Sequence, residues 1–236
     1  MRPFSRPALA CASAIVLLVS LSPARLHAAA VDVIGGRTSV ALDLAALESA
    51  GLTLSSVSDE VEAPGDIPDS VAFPINPRSA APRPTSFSYD PADFINTFGG
   101  TIEHTGSVFF NDSAVEVGDF TIAFDAARAG TLNGSASGFY VQSNAGANAI
   151  LFDVAAPDAL DAQNDFLTID ADLLVSPEFA AVLQSLSGQT VDFSGADVGN
   201  ARVAAAAIPL PPAVLPGLIG LASVAGLRFW RRRSAA

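Results

Sequence analysis

The sequence predicts a mainly β protein: an antiparallel β-sandwich or jelly-roll-like domain with one short helix, an N-terminal signal peptide and a single C-terminal transmembrane helix. Short runs of alternating apolar and polar residues recur between residues 31 and 207, and Gly, Asn and Asp turns separate them. Such spacing is typical of antiparallel strands in sandwiches and jelly rolls. The core is expected to be rich in phenylalanine, of which the chain has 15 residues.

The predicted strands run through the whole domain. They are residues 31–34, 38–44, 52–61, 85–89, 102–110, 115–124, 139–142, 149–154, 166–174, 191–193 and 197–205. Residues 44–50 predict one or two helical turns. Residues 177–186 form the one clear helix pattern, because Pro177 and Glu178 suit a first turn and apolar residues then recur at helical spacing. Gly188 is expected to end that helix.

Two kinds of segment are predicted to interrupt the strands. Gly35-Gly36 and Gly99-Gly100 predict turns, and Gly118-Asp119 breaks the run over 115–124. Residues 63–84 contain six prolines, so we expect a long irregular loop with a short edge strand at 70–75.

The charges divide the chain into basic ends and an acidic middle. All 12 basic residues are arginines, and all 24 acidic residues lie between Asp32 and Asp197. The arginines of this middle segment are Arg37, Arg78, Arg83, Arg128 and Arg202. A domain with such an excess of negative charge repels nucleic acid and anionic lipid, so no nucleic-acid partner is expected.

Few residues in the predicted domain carry reactive chemistry. The single cysteine, Cys11, lies in the N-terminal segment, so we expect a mature protein without disulfides or thiol ligands. His104 has no neighbouring nucleophile pattern, and one histidine without cysteine cannot build a zinc site of nitrogen and sulfur ligands. His104 is therefore expected to be an ordinary strand residue, and the protein is not expected to be an enzyme.

One segment is unusually rich in oxygen ligands. It comprises Asp158, Asp161, Asn164, Asp165, Asp170 and Asp172. Carboxylates at short spacing suit Ca²⁺, but the spacing matches no EF-hand pattern. Two interpretations remain open at this point: a weak calcium site at Asp158, Asp161, Asn164 and Asp165, or a solvated acidic loop. No other cofactor is expected.

The N-terminal 30 residues have the order of a secretory signal. A short basic region with Arg2 and Arg6 precedes an apolar stretch over 8–21, and small residues follow at 28–30. The apolar stretch is too short to span a bilayer comfortably. Cleavage after Ala29 or Ala30 is expected, with the secretion machinery and signal peptidase as partners.

The C-terminal segment, residues 208–233, has three parts. The Pro-rich motif is Ile208, Pro209, Leu210, Pro211 and Pro212. An apolar stretch over 213–227 follows, and together with the motif it approaches the ~20 residues that cross a bilayer as a helix. The arginines that follow are Arg228, Arg231, Arg232 and Arg233. Clustered arginines hold their side of a span in the cytoplasm, so the acidic domain is expected outside.

The order of these three parts resembles the PEP-CTERM sorting tails of Gram-negative bacteria, in particular the variant whose motif reads V-P-L-P-A. Residues 208–212 match its Pro-Leu-Pro and depart at Ile208 and Pro212. The resemblance covers only about the last 30 residues. It implies recognition near the Pro-rich motif by an exosortase, a membrane enzyme that removes the apolar helix. An ordinary single-span anchor would have the same topology.

Three functional hypotheses follow for the 31–207 domain. The first is a structural or biofilm-associated protein, exported across the inner membrane, briefly anchored with its C-terminus in the cytoplasm, and then placed at the outer surface or in extracellular polysaccharide. The second is a glycan- or calcium-binding adhesive module, for which Tyr89, Tyr140 and the phenylalanines would be the exposed aromatic platforms, since the domain has no Trp. The third is a secreted hydrolase that uses a pair of carboxylates.

Overall fold

The computed structural model describes residues 30–210 except 188 and 189, and it shows a mainly β domain with two antiparallel sheets. The strands are β1 (Val31–Leu42), β2 (Leu54–Val57), β3 (Val71–Pro74), β4 (Ser88–Tyr89), β5 (Ile102–Glu103), β6 (Ser107–Phe110), β7 (Val115–Gly118), β8 (Thr121–Phe124), β9 (Ala136–Gln142), β10 (Ala145–Gly146), β11 (Ile150–Ala155), β12 (Ala159–Ala162), β13 (Phe166–Val175) and β14 (Asp197–Pro209). The helical segments are α1 (Leu44–Ser49), α2 (Phe94–Thr97), α3 (Thr131–Gly134) and α4 (Pro177–Ser187).

The larger sheet has ten strands, and the smaller has four. The larger sheet follows the order β3-β1-β14-β13-β11-β9-β8-β5, with β4 also paired to β1 and β12 to β13. The smaller sheet follows the order β10-β7-β6-β2. The mainly β class and antiparallel pairing that the sequence predicts are therefore confirmed.

The core is divided into two apolar clusters. In the first, Val108 and Val117 of the smaller sheet join Leu173 of the larger sheet, and α1 and α4 add Leu47 and Leu183. This cluster therefore joins the two sheets. The second cluster contains Val31, Phe87, Tyr89 and Leu167 and lies along β1, β4 and β13. Burial of each such side chain stabilises the folded state by about 1.5–3 kcal/mol. Because the first cluster contains residues of both sheets, it is the main link between them.

The two helices that the sequence predicts are present, and each has a side-chain cap at its start. The Asp43 carboxylate accepts a hydrogen bond from the Ala46 amide before α1, at 3.0 Å. The Ser176 hydroxyl accepts one from the Phe179 amide before α4, also at 3.0 Å. Each cap satisfies an amide that the first helical turn leaves without a partner. Gly188, which was expected to end α4, lies outside the described residues.

The expectation of one short helix is wrong in number, because the described residues also contain α2 and α3. Both have only four residues, and neither carries a repeated apolar pattern that the sequence could reveal. The α3 segment is not a regular helix, since Leu132 and Asn133 have φ of 51° and 60°. It acts as a turn before β9.

The predicted turn at Gly35-Gly36 is also wrong, because both glycines lie inside β1. Gly36 has φ of 120°, and a Cβ there would lie 2.3 Å from the Ala204 carbonyl oxygen on β14. The register between β1 and β14 shifts between Val33 and Gly35. These glycines therefore form a bulge where two backbones approach closely, which is the other common role of glycine in a strand.

The predicted strand over 102–110 is divided between the two sheets. β5 belongs to the larger sheet and β6 to the smaller one, and Gly106 between them has φ of 116°. The chain therefore changes sheets at a glycine, and β7 and β8 repeat this change at Gly118-Asp119, as the predicted break suggests. The predicted strand at 85–89 is paired only over Ser88–Tyr89, and residues 191–193 form no strand.

Candidate functional site

The two ends of the described domain lie side by side on the larger sheet. β1 and β14 are antiparallel, with Val31 opposite Pro209 and Asp32 opposite Ile208. The Leu210 amide then donates a 2.8 Å hydrogen bond to the Ala30 carbonyl. The first residue after the predicted signal and the start of the Pro-rich motif are thus direct neighbours.

The Pro-rich motif begins inside a strand instead of after the domain. β14 extends to Pro209, so the first two residues of the motif, Ile208 and Pro209, lie in this strand. Ile208 and Leu210 are nevertheless exposed, at 48% and 39%. Pro211, Pro212 and the tail arginines Arg228, Arg231, Arg232 and Arg233 lie outside the described residues, as does the predicted transmembrane helix. Among the helices that the structure does describe, none is long and apolar enough to cross a membrane.

The acidic segment considered for calcium forms a hairpin of β12 and β13. Its side chains already have protein partners: the Asp161 carboxylate accepts a hydrogen bond from Gln163 at 2.7 Å, and Asp170 binds Arg202 through two contacts of 2.6 and 2.7 Å. Asp158 immediately precedes β12, Asp165 immediately precedes β13, and both are exposed. Across residues 30–187 and 190–210, no group of three or more His, Cys, Asp or Glu side chains could hold a metal ion.

The two tyrosines expected as aromatic platforms for glycan binding, Tyr89 and Tyr140, do not have freely exposed rings. Tyr89 is only 1% exposed, and its hydroxyl donates to the carbonyls of Gln163 and Phe166 at 2.7 and 2.9 Å. Burial raises the pKa of the Tyr89 hydroxyl to about 12. Tyr140 is partly buried under Arg128, whose guanidinium carbon lies 5.7 Å from the ring centre.

An apolar space lies between the two sheets, and we name it the interior cavity. Its volume is about 130 Å³. Val40, Ala171 and Ala201 line it from the larger sheet, and Val108 and Val117 line it from the smaller one. At about 24 cal/mol per Å³, an empty cavity of this size lowers stability by about 3 kcal/mol. Protein interiors are normally close-packed, so a void of this size is a notable departure.

Only two of the residues that line the interior cavity are polar, and they are bonded to each other. The His104 Nε2 lies 2.8 Å from the Thr38 hydroxyl, and its Nδ1 lies 3.1 Å from the Phe120 carbonyl. Because a carbonyl can only accept, Nδ1 carries the proton and Nε2 accepts from Thr38. Burial lowers the pKa of His104 to about 4, so the ring is neutral at pH 7.

His104 is therefore a buried residue that joins β1 to the segment after β5. Both of its ring nitrogens are engaged in hydrogen bonds and are not available to a substrate or a metal. This agrees with the expectation that His104 is an ordinary strand residue. The interior cavity is consequently lined by satisfied polar groups and apolar side chains only.

All five arginines of the described domain form ion pairs with acidic side chains. Arg37 binds Glu62 and Asp66, Arg78 binds Asp32, Arg83 binds Glu103, Arg128 binds Asp153 and Glu178, and Arg202 binds Asp170. Three of these arginines attach the proline-rich loop to the sheets, since Glu62, Asp66, Arg78 and Arg83 lie in or next to it. The remaining acidic residues leave a surface with a strong excess of negative charge.

The interior cavity has only a weak signal in the amino-acid sequence. The alternation over 166–174 predicts which face of β13 is buried, but it cannot tell whether the opposite sheet fills the space. The weak signal is the presence of alanine at inward positions of adjacent strands, since Ala171 lies directly opposite Ala201 in the register of β13 and β14.

No protein-family model matches the chain, and no curated protein matches it in sequence. Among solved structures, the C-terminal domain of HtaA from Corynebacterium glutamicum aligns with 75% of this chain and 99% of its own length. The TM-score is 0.46 and the sequence identity is 13%. A likeness at this level does not assign a function to the chain.

Proposed function

We propose that this chain is an exported bacterial surface protein, delivered by its signal peptide, sorted through its C-terminal tail by an exosortase, and placed in a structural role at the outer surface or in the extracellular matrix. The observation that carries the proposal is the order of Pro-rich motif, apolar stretch and arginine cluster at residues 208–233. Order, spacing and terminal position all agree with a sorting tail.

The position of the domain ends supports this proposal. Ala30 and Leu210 are hydrogen-bonded neighbours, so the two proposed processing sites would be close together, at the same end of the β1–β14 pair. A domain attached at one end of a strand pair is well suited to display. The charge also agrees, since an acidic surface repels the anionic headgroups of the membrane it leaves.

The structure adds no support for the adhesive or hydrolase alternatives. Tyr89 is buried, Tyr140 is covered by Arg128, and the acidic hairpin brings no metal-binding group together among the described residues. A calcium titration followed by thermal melting and a glycan array remain the direct measurements of the adhesive alternative.

The sorting proposal is tested in the bacterium that produces the protein. We expect the wild-type chain to be shortened at its C-terminus and recovered outside the inner membrane. The double variant P209A/P211A is expected to keep its full tail and to stay in the inner membrane. Cell fractionation with mass spectrometry of the C-terminal peptide measures both effects.

Pro68→Ala provides the matched control, because Pro68 is an exposed proline in the loop far from the tail in sequence. It should be processed like the wild type. An intact tail on the wild-type chain would reduce residues 208–233 to a plain anchor, and unchanged processing of P209A/P211A would reject the motif as the recognition site.

A further inference from the structure

We propose that the interior cavity is a binding site for a small, neutral, apolar molecule or apolar group about the size of one benzene ring. This inference goes beyond the surface role, which does not require a ligand. It rests on the volume of about 130 Å³, on the lining from both sheets, and on the bonded state of Thr38 and His104.

The lining determines the chemical class of the ligand. A ligand with hydrogen-bond acceptors would lose its bonds to water on entry, and the cavity offers no donor in return, since Thr38 donates its hydroxyl proton to His104 Nε2 and His104 donates its Nδ1 proton to the Phe120 carbonyl. Water is excluded by the same argument, because a buried water needs two to four polar partners. An apolar molecule loses nothing on entry and restores the missing packing contacts.

The cavity also has a route to the surface. Two of its lining residues, Leu54 on β2 and Pro157 after β11, are exposed. Several others, among them Val40 and Ala201, are only partly buried although they belong to the apolar cluster that joins the sheets. The cavity is therefore partly open to the surface and not fully enclosed.

Methyl NMR of the full chain in detergent micelles tests the proposal, with benzene as the probe. We expect saturable shifts of the Ala171, Ala201 and Val203 methyl signals, which lie at the cavity, and no saturable shift of Ala206, which is exposed on the outer face of β14. Pyridine should bind more weakly than benzene, because its ring nitrogen only accepts hydrogen bonds and the cavity has no free donor. Site-resolved signals separate binding in the domain from uptake by micelles.

A matched pair of variants on β14 decides the location. Ala201→Leu fills the cavity and is expected to abolish the saturable shifts at Ala171 and Val203. Ala206→Leu adds the same volume on the outer face and should bind benzene like the wild type. Val40→Ala, which enlarges the cavity, guards against misfolding of the filled variant: it should keep benzene binding and extend it to toluene.

The proposal is overturned if the wild-type methyl signals show no saturable shift with benzene. It is equally overturned if Ala201→Leu folds and binds as the wild type does, or if pyridine binds as well as benzene. None of these outcomes depends on the processing of the tail, so the surface proposal and the ligand proposal succeed or fail independently.

Discussion

Arg128 and Asp153 form a two-pronged ion pair in which the aspartate is completely buried. Arg128 Nε and Nη2 lie 2.6 and 2.8 Å from the two carboxylate oxygens, and the Asp153 side chain is 1% exposed. The same guanidinium binds Glu178 at the start of α4, at 2.7 and 2.9 Å. These hydrogen bonds to Glu178 and Asp153 raise the pKa of Arg128 above its ordinary value. One side chain thus joins the loop after β8, strand β11 and helix α4.

Removing the arginine should destabilise the domain strongly. Arg128→Met leaves the Asp153 carboxylate buried without a counter-charge, and we expect the free energy of unfolding to fall by about 3–5 kcal/mol. Urea unfolding followed by circular dichroism measures this change. The double variant R128M/D153L should recover much of the loss, because it removes the unpaired charge.

Arg37→Met is the matched control, since Arg37 also binds two carboxylates but is 42% exposed. Its effect should be much smaller, because exposed pairs are weak. Equal losses at the two positions would show that burial of Asp153 is not the source of the effect.

The buried His104 should make stability depend on pH between about 6.5 and 4. Its pKa is about 4 in the folded protein and close to 6.5 in the unfolded chain, so the unfolded chain takes up a proton first as pH falls. The stabilisation is therefore complete above pH 6.5 and declines as pH falls through this window, by about 3 kcal/mol in total.

Unfolding of the wild type and of His104→Gln at a series of pH values isolates this contribution from that of the carboxylates. The difference between the two proteins should narrow as pH falls from 6.5 to 4. A difference that stays constant over this range would mean that His104 is not held neutral by the fold.

Replacement by alanine should destabilise the domain much more at Gly36 than at Gly35. At Gly36 a Cβ would meet the Ala204 carbonyl oxygen at 2.3 Å, at φ of 120°, so Gly36→Ala should lower stability by about 2 kcal/mol or more. At Gly35 nothing lies within 4 Å of the new Cβ, and the change should stay within about 1 kcal/mol. Thermal melting of the two variants makes the comparison, and similar melting temperatures would contradict the bulge.

The hydroxyl of Tyr89 should contribute measurably to stability. It donates to the carbonyls of Gln163 and Phe166, which close the hairpin of β12 and β13. Tyr89→Phe removes both bonds while keeping the buried ring, and we expect a loss of about 1–2 kcal/mol. Hydrogen exchange of residues 159–166 checks the reason, because these amides should exchange faster in the variant. Unchanged exchange of these amides would show that the Tyr89 hydroxyl does not stabilise the hairpin.

Local patterns predicted the class of fold better than its connections. Alternation is a local property, so it located most strands, and Pro177 with Glu178 marked the start of α4. The pairing of β1 with β14 depends on residues about 170 positions apart, and no local pattern encodes such a contact. The turn predicted at Gly36 is wrong because turns and close backbone approaches both require glycine, and the sequence cannot distinguish the two.

The interior cavity was beyond prediction for a related reason. The sequence shows that Ala171 and Ala201 alternate with polar residues, which identifies an inward face. Whether that face is filled depends on the distance between two sheets, and this distance is set by contacts such as those of Val117 and Leu173 across the core. The two polar residues that line the cavity, Thr38 and His104, are also far apart in the sequence, by 66 positions.

The hydrogen bond between Ala30 and Leu210 has a consequence for the timing of export. Only residues 210–212 separate the end of β14 from the apolar stretch, a reach of about 10 Å at ~3.3 Å per residue. On the proposed topology, signal peptidase and exosortase must both cut within that reach of a folded edge. Either they act before the last rungs of β1 and β14 close, or those rungs must open for each enzyme. On that proposal, maturation is a competition between folding and proteolysis at a single pair of strand ends.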